Sequence, residues 1–81
     1  MPKLKTLSGP DVVKIFIDLG FIVVSQKGSH IKLRRILPNK MRQILTIPNH
    51  KELDKGTVKA IYRQALRYIS ESELYPHFYT S

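Results

Sequence analysis

Phe21-Ile22-Val23-Val24-Ser25-Gln26-Lys27-Gly28-Ser29-His30-Ile31-Lys32-Leu33-Arg34 is the stretch whose reading decides the fold. Phe21 to Ser25 is an apolar run rich in β-branched residues and reads as a strand. Gln26 to Ser29 reads as a hairpin turn, and His30 to Ile36 as the returning strand. Side chains alternate across a strand, so if Ile31 and Leu33 enter the core, His30, Lys32 and Arg34 share the opposite face.

Toward the N-terminus, Ser8-Gly9-Pro10-Asp11 has the spacing of a capping box. Val12, Ile15, Phe16 and Leu19 follow at helical intervals, and Gly20 suits the left-handed residue that ends a helix. Toward the C-terminus, Leu37-Pro38-Asn39-Lys40 makes a second turn. Met41 to Ile47 makes a third strand, closed by Pro48, which can donate no further ladder bond. After Asn49, His50 and Glu52, a second helix starts around Lys55 to Thr57, buries Val58, Ile61, Tyr62 and Ala65, and runs to about Tyr68. Ser70 to Glu73 has the spacing to cap one more short turn before an aromatic tail, Tyr75, Phe78 and Tyr79.

The order is therefore helix, strand, strand, strand, helix. The expected fold class is α+β: a three-stranded antiparallel sheet with both helices on one face, the order found in double-stranded-RNA-binding domains. The whole chain, 1–81, reads as one domain with its core over about 7–69 and a C-terminal turn and tail over 70–81.

A chain of 81 residues buries only about 60% of its unfolded surface. Stability of about 4 to 12 kcal/mol is expected at that size. There is no cysteine, so disulfides and thiolate metal sites are excluded. No apolar run is long enough to span a membrane and Met1 to Thr6 is too short for a signal peptide, which makes a cytoplasmic location the expectation.

The formal net charge is +8. It is unevenly placed, because eleven lysines and arginines lie between Lys27 and Arg67 against only Glu52 and Asp54. Such a field suits a polyanion, most often nucleic acid.

Within that field His30 is the candidate catalytic residue, since imidazole exchanges protons near neutral pH and Lys32 and Arg34 flank it as phosphate-binding charges. Lys27, Gly28 and Ser29 join the candidate RNA-binding set: Gly28 permits close backbone approach and the Ser29 hydroxyl can bond a phosphate oxygen. On the second helix Lys55, Lys59, Arg63 and Arg67 fall four apart, and Lys59 and Arg63 are the candidate phosphate contacts of that stripe. His50, at the sheet end, is the candidate second proton carrier, while His77 receives no role. The carboxylates do not cluster with histidine at ligand spacing, so no metal site is expected. Neither a P-loop nor a nucleophile elbow is present.

These residues together resemble the HicA-type toxins, the small ribonuclease half of HicA–HicB toxin-antitoxin pairs. The resemblance runs from Leu7 to Leu66 through Leu19-Gly20-Phe21, Gly28-Ser29-His30, Ile47-Pro48-Asn49-His50 and Lys55-Gly56-Thr57. It implies a double-stranded-RNA-binding-like fold, cleavage of messenger RNA, neutralisation by a HicB-type antitoxin, and an essential histidine at His30. Arg34 to Arg42 is longer and more basic than that pattern, and the tail after Ser70 is more aromatic. The expected function is thus a metal-independent endoribonuclease, an mRNA interferase needing no cofactor. The alternative is a non-catalytic RNA-binding module on the same fold.

Overall fold

The computed structural model describes residues 1–80, which run β1 (Lys3–Leu4), α1 (Gly9–Asp18), β2 (Ile22–Lys27), β3 (His30–Ile36), β4 (Arg42–Pro48), α2 (Lys55–Ala65), α3 (Glu71–Phe78) and β5 (Tyr79–Thr80). Local chemistry sets the limits of α1. The Ser8 hydroxyl accepts from the Asp11 N–H at 3.0 Å, and the Asp11 carboxylate accepts from the Ser8 N–H at 3.0 Å, completing the capping box. At the other end Gly20 takes a φ of +98°. The Phe21 N–H then reaches back to the Phe16 carbonyl and the Gly20 N–H to that of Ile17, a paired closure that only a left-handed residue permits cheaply.

β2, β3 and β4 form an antiparallel sheet in that order. Lys27 pairs with His30 around a two-residue turn, with Gly28 at a φ of +56°. A positive φ at the first central residue alone is the signature of a type II′ turn, whose twist suits a hairpin. Leu33, Leu45 and Ile47 on one sheet face are sealed, and Phe16, Phe21, Val12, Val58, Leu74 and Phe78 complete the core from the helices and loops on that side. The α+β class, the antiparallel three-stranded sheet and the two flanking helices thus match the expectation.

Several boundaries differ from it. β2 starts at Ile22 and continues through Lys27, and β4 includes Pro48, which pairs with His30. α2 ends at Ala65 rather than about Tyr68. The largest difference is C-terminal, where the short turn expected at Ser70 to Glu73 continues as α3 to Phe78 and the aromatic residues after it are not a tail. Leu74 and Phe78, one helical turn apart on α3, are fully buried, and Phe78 packs against Phe16 and Tyr62 at ring separations of 6.0 and 5.3 Å. β5 then pairs with β1, Leu4 facing Tyr79, so the core extends beyond 7–69 into the two ends of the chain.

Candidate active site on the open face of the sheet

The face of the sheet turned away from the helices is set by register. Lys27, His30 and Pro48 form one row across the strands, Ser25, Lys32 and Thr46 the next, and Ile22, Arg34 and Ile44 the third. Lys27 and Ser25 reach this face through a β-bulge. Val23 pairs with Leu33 and Ser25 with Lys32, so Val24 is an extra residue in β2. Strict alternation from Ile22 would have turned both Ser25 and Lys27 to the core side, and the bulge reverses the parity.

Ser25, Lys27, His30, Lys32 and Thr46 line a depression of about 310 Å³. Lys27, His30 and Lys32 are all exposed. The chain carries no aspartate or glutamate between Leu19 and Lys51, so none of the three strands supplies a carboxylate. His30 therefore sits among cations with no acid on its face.

The backbone around His30 is tied down from the far side of the sheet end. The Asn49 N–H donates to the Ser29 carbonyl, and the Gly9 N–H donates to the His50 carbonyl at 2.8 Å. A Cβ on Gly9 would run into the Pro48 carbonyl, so only glycine lets the start of α1 press this close to the exit of β4. Gly9 thereby holds the segment that flanks His30. Nothing in the spacing of Ser8 to Asp11 signalled that role, because the contact spans some forty residues of chain.

His50 is exposed and does not line the His30 depression. It lies near the start of α2, where Asp54 is the N-cap and accepts from the Thr57 N–H at 2.7 Å. Those Thr57 bonds, aided by the His50 charge, hold the Asp54 carboxyl below its usual 3.8. Lys59 and Arg63 lie elsewhere again. α2 turns Val58, Ile61, Tyr62 and Ala65 into the core, so these two cations stand on its outer surface. They border a separate depression with Tyr62, Leu66 and Tyr79, on the helix side of the molecule.

The structure thus gathers Lys27, Gly28, Ser29, His30, Lys32 and Arg34 on or beside one face, and leaves His50, Lys59 and Arg63 apart from it. Ser25 and Thr46 are lining residues that sequence reasoning missed, one because of the bulge and the other because it is decided by the pairing of β4. Among the described residues, no three His, Asp or Glu side chains gather as a metal-ligand set.

The family model for the HicA toxin of bacterial toxin-antitoxin systems matches residues 9–66 of the chain's 81. The chain belongs to the HicA toxin family. No curated protein matches it. The HicA match opens at Gly9 and closes just after α2, so it covers the whole three-stranded sheet and the His30 face, while α3 and the β1–β5 pair lie outside it. Membership in the HicA family makes this the toxin of a toxin-antitoxin system and implies an antitoxin counterpart. No helix among the described residues is long and apolar enough to cross a membrane.

Proposed function

We propose that this HicA toxin is a metal-independent endoribonuclease that cleaves messenger RNA in the cytoplasm with His30 as its catalytic residue. The observation that carries the reading is an exposed imidazole in a depression lined by Lys27 and Lys32, on a sheet face without carboxylates. A face of cations attracts the phosphodiester but offers no carboxylate to bind Mg²⁺. The chemistry that remains is internal attack by the RNA.

The ribose 2′-hydroxyl attacks the neighbouring phosphorus, forming an O2′–P bond as the P–O5′ bond breaks. Products are a 2′,3′-cyclic phosphate and a free 5′-hydroxyl. The His30 imidazole takes the 2′ proton, and a proton must reach the departing 5′ oxygen from water, since His50 does not line this depression. Lys27, Lys32 and Arg34 neutralise the phosphorane charge, with the Gly28 and Ser29 turn approaching the phosphate closely and contributing a hydroxyl. A HicB-type antitoxin, acidic where it meets this surface, silences the enzyme by covering His30, and its charge gives fast, salt-sensitive association.

Incubation of the protein with single-stranded RNA in EDTA tests the reading. Cleavage should persist, leave 2′,3′-cyclic phosphate ends, and stop when the nucleotide at the cleaved step is 2′-deoxy. Cleavage that requires a divalent ion or tolerates the deoxy substitution overturns the mechanism. Binding without cleavage would make the protein an RNA-binding module instead.

A further inference from the structure

The open face has two halves, and the cleavage reading uses only one of them. Beyond the His30 depression, Ile22, Ile36 and Ile44 surround Arg34 on the same face. Ile22 and Ile36 are each 54% exposed, a large apolar area to leave in water on one face of a sheet. Ile22 and Ile44 stand directly beside Arg34 in register, one on each neighbouring strand. The Arg34 Nε is covered yet has no hydrogen-bond partner. Packing rather than hydrogen bonding therefore holds its guanidinium, and its outer nitrogens are left to face a ligand.

Apolar surface interleaved with cations, with no acid anywhere on the face, complements a ligand made of apolar planes joined by anions. An unpaired nucleic-acid strand has that chemistry. From the preceding proposal that His30 cleaves RNA, we infer further that the substrate is a single strand laid along β3. Its phosphates step over His30, Lys32 and Arg34, and a nucleobase outside the cleaved step seats on the Ile22–Arg34–Ile44 row. Same-face residues on a strand recur every ~6.7 Å, a spacing comparable to successive phosphates of an extended strand. A duplex fits less well on two counts. Its bases are stacked inward, so the isoleucines would meet only sugar and phosphate, and its A-form backbone holds the 2′ oxygen out of line with the leaving oxygen. Arg34 thus acts twice, as a phosphate contact and as a planar surface on which a base can stack.

Equilibrium binding of a short 2′-O-methyl RNA strand, whose blocked 2′ oxygen cannot attack, tests the inference with the full-length protein. Abasic units are placed at each position in turn. One position away from the cleaved step should lose about tenfold in affinity when abasic. Ile22→Ser and Arg34→Ala should each erase most of that difference, and a duplex of equal length should bind at least about tenfold more weakly. A flat abasic scan, or duplex binding as tight as the strand, overturns the inference. So does an Ile22→Ser variant with unchanged RNA affinity, which would give the patch to a protein partner. A parallel assay with unmodified RNA separates the two proposals: His30-dependent cleavage with a flat scan removes only the base seat, whereas a position-specific abasic loss without cleavage keeps the seat and removes the cleavage reading.

Discussion

Arg34 and Arg35 are neighbours on β3 with opposite fates. Arg34 faces out among isoleucines, whereas Arg35 turns to the core side of the sheet. There its Nε donates to the Gln43 side chain at 2.7 Å, and its outer nitrogens donate to the Leu19 and Tyr68 carbonyls at 2.8 and 3.1 Å. Its guanidinium also lies 4.9 Å from the Phe21 ring centre. One side chain thereby satisfies the carbonyl ends of two helical segments and fastens them to the sheet. Arg35→Ala should cost about 3 kcal/mol in urea unfolding, because charged hydrogen bonds are lost and Gln43 is left buried without its partner. Arg34→Ala should leave stability within about 0.5 kcal/mol and weaken RNA binding instead. Equal effects of the two substitutions on stability would refute this division. Alternation along the strand was enough to send Arg34 outward with His30. It could not reveal what receives Arg35, since those partners lie in β4, just after α1 and just after α2.

Among the elements, helix caps are the most pH-sensitive features, and the box at Ser8 and Asp11 was legible in the sequence whereas the Asp54 cap was not. Bonds from Ser8 hold the Asp11 carboxyl below its usual 3.8, as those from Thr57 do for Asp54. A carboxylate whose folded pKa is depressed stabilises the fold at pH above its unfolded value, and that contribution is lost as the pH falls through the folded value. Asp11→Asn and Asp54→Asn, which keep the capping geometry, should therefore melt below wild type at pH 7 and converge with it as the pH drops below about 3.8. A gap that stays constant down to pH 2 would show that the charge is irrelevant.

The sheet and both flanking helices could be read from local periodicity, because each carries its own pattern of apolar residues and its own stop signal. The bulge at Val24 could not, since it exists only in the pairing of β2 with β3, yet it decides that Lys27 joins His30. α3 was legible only at its start, where Ser70 to Glu73 has the spacing to cap a turn, and not in its continuation to Phe78. Pro76 interrupts its pattern, and only Leu74 and Phe78 mark a buried face. Its position is secured by Tyr62, whose hydroxyl donates to the Glu71 carboxylate at 3.1 Å and whose pKa burial pushes up to about 12.

Across the whole molecule, the +8 charge was plain in the sequence, but its division between two surfaces was not. The His30 face and the outer surface of α2 lie on opposite sides of the shared core. A short strand cannot touch both, whereas a long messenger RNA can wrap from one to the other. Replacing Lys59 and Arg63 together by Gln should therefore leave the salt dependence of a short oligonucleotide unchanged. For a long RNA the same change should flatten the log–log slope by about 1.4, the share of two single-strand phosphate contacts. A flattened slope for the short strand would place α2 within the primary site.

The central claim is that His30 carries chemistry and not architecture. Single-turnover cleavage by the His30→Ala protein, measured beside its melting temperature and its affinity for a 2′-O-methyl strand, tests that claim most directly. His30 is exposed at the first position of β3, so melting should be unchanged and affinity should fall only a few-fold. The cleavage rate should drop by about 10²–10⁴, the usual contribution of a positioned proton carrier. A variant that folds, binds and cleaves like the wild type would contradict the account.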